Sequence, residues 1–591
     1  MRFRKLDKWD NKENSQGLIF VAQIIDELLF DYTLDSYKPS AMNTALLIKE
    51  AVKTMKAISA GVVMKPNLQH ILNELCDNLE SDWVAQRLLS VDLVGVTSTL
   101  KNPKSSDASV ETVVKLLGIQ VPLSAYKEMN ENLLREELLG ASKRSTLRSL
   151  VRSYITTLLN SGYTAKFISK VSQNFFHYSP DRISGNEAIE EYFSLFSRVI
   201  QEYHVIYKAP SYLLAFREAA NKLGVNVLPG SGDSPFTHEE LTRYNFQLRG
   251  GDVYLYISSR GKEPNVAKIV ADKKVEAIQT LIGLYHHKEA PRRITECLIK
   301  SADGGECERN ARHINPMHRC ADAVPTVASK KLFKFMSAFS LEKESFSKFH
   351  RSAELHALAL ASESLENQMI NLWIALESLI PSKSDKDLAQ IDHIANSVIP
   401  CLNLEYINKL LTRFFKDLLF WNSKLVRRIY KEIEAQGVSS KTAHLLALPD
   451  YQHLRAELEG GFGDYHLLRD RYEYLVGLLS SPASIINVLD GHEKRVGWQL
   501  RRIYRARNTI VHDGSTPSYT EVLVENTHDY LDVIMRWLME LASKDKTIFS
   551  VSQGFKMIEL NYLSYRKRLG EKHLVFTKEN IDLLLTRFNY S

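Results

Sequence analysis

The sequence has few cysteines, little net charge and no long apolar run, and each of these shortages excludes a class of protein. A membrane-spanning helix needs about 20 consecutive apolar residues, whereas the longest candidate, Met369 to Ile380, is interrupted by Asn371 and Glu377. Five scattered cysteines in 591 residues do not make a disulfide framework. With 76 basic and 70 acidic residues the formal charge is only +6, so any polyanion site must come from local clustering.

The remaining composition indicates a globular chain of several domains. Hydrophobic residues make up 44% of the sequence and charged residues 25%, which is ample apolar material for a core. At about 150 residues per domain, the length predicts three or four domains. The N-terminal segment is charged and lacks the apolar core of a signal peptide, so we expect a cytoplasmic protein with no membrane attachment.

Apolar spacing predicts helices through most of the N-terminal third. Apolar residues three and four positions apart mark one face of a helix. They recur in two sets: Leu68, Ile71, Leu72, Leu75 and Leu79, and then Leu147, Leu150, Val151, Tyr154, Ile155 and Leu158. Arg144, Arg148 and Arg152 repeat every four residues on the second helix, and this row is either a solvated face or a track for an RNA backbone.

From about Tyr207 the pattern changes to short β-rich runs. Residues 244–248 and 253–257 flank an Arg-Gly-Gly-Asp turn and predict a β-hairpin. Residues 266–270 are a candidate third strand, and residues 274–286 a candidate helix. Beyond Pro325 the pattern is helical again.

We therefore predict a mainly α-helical, multidomain chain with four segments. Residues 1–205 form a helical domain with a sensor or regulatory role, and residues 206–332 form a small mixed α/β region with a hairpin. Residues 333–543 form a helical bundle with inserted helices, and residues 544–591 a basic, helical tail.

The chemistry is concentrated in one segment, RRIYRARNTIVHDG, from Arg501 to Gly514. Arg507 lies beside the apolar face of the predicted helix, where a charge needs an anionic partner or a polar cleft. Asp513 and Gly514 end the helix, so we expect His512 in the last turn, open to solvent. The apolar face itself comprises Val496, Leu500, Ile503 and Ile510.

The spacing of Arg507 and His512 is not specific by itself. A comparable Arg/His spacing occurs at Arg351 and His356, among other places. The distinguishing context is Asn508 directly after the arginine, two apolar residues before the histidine, and a helix stop after it. Such a match is a hypothesis that needs structural support.

The segment RARNTIVH resembles the Arg-Asn-x3-His signature of the HEPN superfamily, helical domains of which many are metal-independent ribonucleases. The stretch NLWIALESL, residues 371–379, is similar to the W-x-A-L-E helix of the Apea-like HEPN branch, found in bacterial anti-phage and abortive-infection proteins. The resemblance covers residues 333–542. Between Glu377 and Arg507 lie more residues than in compact members, so extra helices are expected.

The resemblance implies a homodimeric endoribonuclease without a cofactor, in which two Arg/His sets face one cleft. The RNA 2′-OH attacks the adjacent phosphate and leaves 2′,3′-cyclic phosphate and 5′-OH ends. Arg507 would bind the phosphate and stabilise its charge, and His512 would donate or accept a proton. Asn508 would orient the phosphate or the imidazole. Glu377 would pair with Arg507 or hold the site in register.

Further expectations concern the partners of the site. Arg501, Arg502 and Arg505 are candidates for binding RNA. The anti-phage context implies a toxin held silent until a phage-derived or cellular trigger reaches the N-terminal region. The soft ligands between His286 and Cys320 match no compact zinc pattern, so we expect no metal.

Two alternatives remain open at this point. The first is a non-catalytic HEPN module that dimerises and binds RNA or a partner protein. In that case Arg507 and Glu377 form a buried ion pair, and His512 is a cation favoured by the helix C-terminus. The second is a chance match to the signature.

Overall fold

Most of the chain is described by a computed structural model. The described residues are 1–582 without 31–32, 35–36, 62–64, 103–105, 287–293, 295, 306, 311–314, 320–322, 384–386, 544–547 and 572–573. Within them the chain is mainly α-helical, as predicted, with 23 α-helices and one small five-stranded sheet. None of these described helices is both long and apolar enough to cross a membrane.

The chain folds into two compact units. The first contains residues 1–156, 182–187 and 315–591, and the second contains residues 157–181 and 188–314. The linear division into four segments assigns the N-terminal and C-terminal helices to different domains, whereas the structure groups both in the first unit. Side-chain contacts between residues far apart in sequence join them.

The first unit is built from helices. The predicted apolar sets at 68–79 and 147–158 lie on two of them, Pro66–Ser81 and Arg144–Asn160, and all of their members are buried except Leu68, which is half-buried. Both helix predictions are confirmed. The helices are α1 (Gln16–Leu28), α2 (Thr44–Ser59), α3 (Pro66–Ser81), α4 (Trp83–Leu88), α5 (Leu93–Lys101), α6 (Asp107–Gln120), α7 (Leu123–Leu139), most of α8 (Arg144–Asn160), and, from the C-terminal part of the chain, α14 (Pro325–Ala338), α15 (Lys343–Ala361), α16 (Leu365–Leu379), α17 (Gln390–Glu432), α18 (Val438–Ala447), α19 (Gln452–Gly460), α20 (His466–Leu478), α21 (Pro482–Asp513), α22 (Thr520–Ser543) and α23 (Val551–Leu569).

The second unit contains the sheet. Its strands run antiparallel to their neighbours in the order β2-β3-β1-β4-β5, and α13 packs its buried face on the sheet. The strands are β1 (Gln201–Pro210), β2 (Asn226–Leu228), β3 (Asp252–Gly261), β4 (Cys297–Ser301) and β5 (Glu308–Asn310). The helices are α9 (Ala165–Gln173), α10 (Ile189–Ser194), α11 (Arg217–Lys222), α12 (His238–Arg243) and α13 (Pro264–Gly283).

The predicted hairpin is wrong. Residues 253–257 lie in β3, but β3 pairs with β1 and β2, and residues 244–248 form no strand. They follow α12 directly, and Phe246 is buried in a small apolar cluster, where its carbonyl accepts a hydrogen bond from the Tyr254 hydroxyl at 2.8 Å. The short apolar run therefore serves packing rather than strand pairing.

The predicted strand at residues 266–270 is also wrong, because these residues belong to α13. Pro264 occupies the first helical turn, and the Glu263 side chain accepts a hydrogen bond from the Asn265 backbone N–H. Both features favour a helix start. The predicted helix at 274–286 is the C-terminal part of the same element.

Ion pairs join the N-terminal and C-terminal helices of the first unit. Arg144 of α8 binds Glu473 of α20 at 2.9 Å, and Arg148 binds Asp470 on the same partner helix. Two members of the predicted basic row thus bind carboxylates of this chain.

A second, deeper contact involves Arg471 of α20. Its guanidinium binds Glu27 of α1 at 2.8 Å and Asp417 of α17, and all three side chains are at most 5% exposed. Buried charges of this kind are tolerated only when they are paired. We refer to these three residues as the buried ion cluster.

Candidate functional site

The segment predicted to carry the chemistry lies at the C-terminal end of α21. Val496, Leu500, Ile503 and Ile510 are buried along this helix, as their spacing predicts. The helix ends at Asp513, and Gly514 follows with a φ of 61°. Glycine adopts this left-handed conformation without steric cost, so the predicted helix stop is confirmed.

The two helices that carry the motif resemblances contact each other. Trp373 of α16 is 1% exposed, and its ring lies 5.6 Å from that of Tyr504 on α21, centroid to centroid, with the planes inclined by 50°. Aromatic pairs at this distance stabilise helix packing beyond their buried area. The sequence alone did not indicate a role for Tyr504. Its ring contact with Trp373 helps to set which face of α21 packs on α16.

Arg507 is half-buried and its guanidinium is incompletely bonded. Its Nη1 donates a hydrogen bond to Oδ1 of Asn508 at 3.0 Å. Its Nε is buried and has no hydrogen-bond partner in the described part of the chain. A buried donor without a partner is costly and calls for an explanation. Asn508 thus orients the guanidinium in this structure.

Glu377 does not fulfil the pairing predicted for it. The side chain is half-buried on α16, and within the described residues neither Glu377 nor Arg507 forms an ion pair. The buried Arg507–Glu377 pair that the structural alternative includes is therefore not formed.

His512 lies in the last turn of α21 and is exposed, as predicted. Its ring has no hydrogen bond to any described residue. The loop beyond it is fixed by Thr516, whose hydroxyl donates to Glu366 in the first turn of α16. Since these two residues are 150 positions apart, no local pattern links them.

Arg501, Arg502 and Arg505 all bind carboxylates. The Arg502 side chain is 4% exposed, so it does not face solvent. Each arginine forms one of three ion pairs: Arg501 with Asp392 at 2.6 Å, Arg502 with Glu74, and Arg505 with Glu50 at 3.0 Å. Within the described part of the 501–507 segment, Arg507 is the one arginine without a carboxylate partner.

The soft-ligand stretch from His286 to Cys320 is only partly described, since His287, His313 and Cys320 lie outside the described residues. Cys297 and Cys307 are buried, and burial raises the pKa of each thiol to about 12. Neutral thiols are poor metal ligands.

We compared the chain with models of known families, with curated proteins and with solved structures, and none of the three comparisons gave a match.

Proposed function

We propose that the chain is a metal-independent endoribonuclease whose active site comprises Arg507, Asn508 and His512. The observation that carries the proposal is the state of Arg507. Its neighbours Arg501 and Arg502 bind carboxylates, whereas Arg507 has no carboxylate partner among the described residues and is oriented by the amide of Asn508. A guanidinium in this state is suited to binding a phosphate.

The reaction requires a phosphate-binding group and a proton carrier. The 2′-OH of the RNA attacks the adjacent phosphorus and the bond to the 5′ oxygen breaks, which leaves a 2′,3′-cyclic phosphate and a 5′-OH. Arg507 stabilises the charge that develops on the phosphoryl oxygens. His512, exposed at the helix end, exchanges the proton with the attacking or the leaving oxygen.

The resemblance to the HEPN superfamily agrees with this assignment, because its two motifs lie on helices that pack together through Trp373 and Tyr504. The N-terminal helices contribute Glu74 and Glu50 to ion pairs with arginines of α21. A signal that displaces these helices would therefore act directly on the helix that carries the site. This favours a latent toxin, such as an abortive-infection effector, controlled by its N-terminal region.

The test is cleavage of a single-stranded RNA in EDTA by the purified full-length chain, before and after partial proteolysis of the N-terminal region to release a latent enzyme, with mapping of the product ends. We expect cyclic-phosphate and 5′-OH ends at undiminished rate, because no step uses a metal ion. Cleavage that EDTA stops, while circular dichroism shows the chain still folded, would exclude this mechanism. RNA binding without cut ends, also after partial proteolysis of the N-terminal region, would favour the non-catalytic scaffold.

The geometry of α21 predicts that the site is shared between two copies of the chain. Residues i and i+5 on a straight helix diverge by about 140°, and α21 is continuous through Asp513. Arg507 and His512 of one chain therefore point in different directions. Two facing copies bring the Arg507 of one protomer to the His512 of its partner.

Co-expression of Arg507→Ala and His512→Ala chains with different affinity tags tests this arrangement. Half of the dimers are mixed and each has one complete site, so we expect about a quarter of the wild-type rate from two inactive variants. Each variant alone is the control. Purified mixed dimers without activity, or a monomer by light scattering at high concentration, would contradict a shared site.

A further inference from the structure

Three side chains on α15 and α22, none of them among the candidate nuclease residues on α21, lie close together. His356 comes from α15, and His528 and Asp532 lie one turn apart on α22. Each offers one donor atom, and these atoms lie within 4.8 Å of one another. Among the described residues this is the one group of three or more such ligands.

The spacing of the three donors is not that of a hydrogen-bonded cluster. Nε2 of His356 lies 3.5 Å from Oδ1 of Asp532, and Nε2 of His528 lies 3.5 Å from Oδ2. Hydrogen bonds between nitrogen and oxygen are shorter, about 2.7–3.2 Å. Nε2 of His356 is in fact buried and has no hydrogen-bond partner among the described residues.

The same spacing fits the edge of a metal coordination polyhedron. Donor atoms bound at about 2.0–2.1 Å to a tetrahedral ion lie about 3.3 Å from each other. This is close to the distance from each histidine Nε2 to the carboxylate oxygen that it faces, which is Oδ1 for His356 and Oδ2 for His528. The two imidazole rings are nearly parallel, inclined by 21° with centroids 5.0 Å apart. Each ring faces the carboxylate of Asp532 with its Nε2 atom.

The basic side chains near Asp532 bind other carboxylates. Arg536, one turn beyond Asp532 on α22, binds Glu405, and Lys409 binds Asp529 at 3.2 Å. The ion pairs of Asp532 within the described part of the chain are with the two histidines. Its charge is thus free to offset that of a bound ion.

We infer that His356, His528 and Asp532 bind a divalent transition-metal ion, with zinc as the expected occupant. Two imidazoles and one carboxylate are a donor set that suits zinc and its neighbours in the first transition series. Three protein ligands leave one position for water, and the ion fixes α15 to α22. The inference is independent of the proposed ribonuclease, because it uses neither Arg507 nor His512.

The test uses the full chain without a histidine tag, stripped of metal with a chelator and titrated with zinc chloride in a calorimeter. We expect one zinc ion per chain. Loss of a direct ligand in His356→Ala or Asp532→Asn is expected to weaken binding by at least about 100-fold. His350→Ala is the matched control, because His350 lies exposed on the same helix. His512→Ala should bind zinc as the wild type does.

Cobalt(II) supplies a second readout, since its absorption spectrum reports coordination by the same donors. His528 is buried and its replacement risks misfolding, so the other two variants carry the test, after circular dichroism confirms that they are folded. No stoichiometric zinc binding by the wild type would overturn the inference. Undiminished binding by both folded variants would also overturn it.

Discussion

Replacement of His512 by alanine is expected to lower the rate of RNA cleavage by about 10²- to 10⁴-fold, the usual contribution of a positioned general acid or base. The side chain is exposed and makes no hydrogen bond to a described residue, so its removal costs little stability. The measurement is single-turnover cleavage of a labelled RNA, with the melting temperature of each variant alongside. A loss of rate without a loss of stability is the expected pattern.

The matched control is His453→Ala. His453 is also strongly exposed, and its ion pair with Glu432 is long, at 4.0 Å. Surface ion pairs of this kind contribute little, so this variant should cleave as the wild type does. Retained cleavage by folded His512→Ala would remove His512 from the mechanism and leave the resemblance of RARNTIVH as a chance match.

Local chemistry explains which parts of the site the sequence predicts. The helix stop depends on Gly514 and its left-handed backbone, and the buried face of α21 depends on a spacing that any helix imposes. Both features depend only on residues close together in the sequence, so the local sequence is enough to predict them. The exposure of His512 follows from its place in the last turn.

The arginines of the same helix show where local reasoning ends. Arg502 binds Glu74, which is 428 positions away, and Arg505 binds Glu50. No pattern within α21 predicts that these two arginines bind carboxylates, because the partner residues are brought to them by the tertiary fold. The candidate RNA-binding arginines are thus bound to carboxylates by contacts that only the structure reveals.

The wrong strand prediction at residues 266–270 also arises because the apolar pattern alone is not sufficient. The apolar run at 266–270 is compatible with a strand or a buried helix by periodicity alone. The decision is made by Glu263 and Pro264, which start α13. A cap and a proline outweigh β propensity, since propensity is a weak preference that context overrides.

Replacement of Arg471 by methionine is expected to lower the free energy of unfolding of the first unit by about 1.5–3 kcal/mol, the usual contribution of a hydrogen bond to a charged group. The guanidinium binds Glu27 of α1 and Asp417 of α17, and all three side chains are nearly inaccessible. Methionine fills a similar volume but leaves the two buried carboxylates with Arg413 and the Met1 amino group as their remaining cations. The measurement is urea unfolding of the variant and the wild type at neutral pH.

The pH dependence of this loss identifies its cause. Burial by itself raises the pKa of Glu27, but Arg471 and the other positive charges nearby outweigh burial and lower the pKa to about 2. A carboxyl with a lowered pKa in the folded state adds stability above its unfolded pKa of about 4.5, and this is lost as the pH falls towards 2. The difference between wild type and Arg471→Met should therefore shrink between pH 4.5 and 2.

A second arginine on α20, Arg469, is the control that distinguishes the buried ion cluster from a more exposed ion pair. Arg469 of α20 binds Glu459 at 3.4 Å, and its side chain is 26% exposed. Arg469→Met should lower the unfolding free energy by less than about 1 kcal/mol. Equal losses from the two variants, or a loss in Arg471→Met that does not change with pH, would contradict a buried charge contact. Because the cluster joins α1 to α20 and α17, a confirmed loss would also establish that the N-terminal helix stabilises the C-terminal bundle.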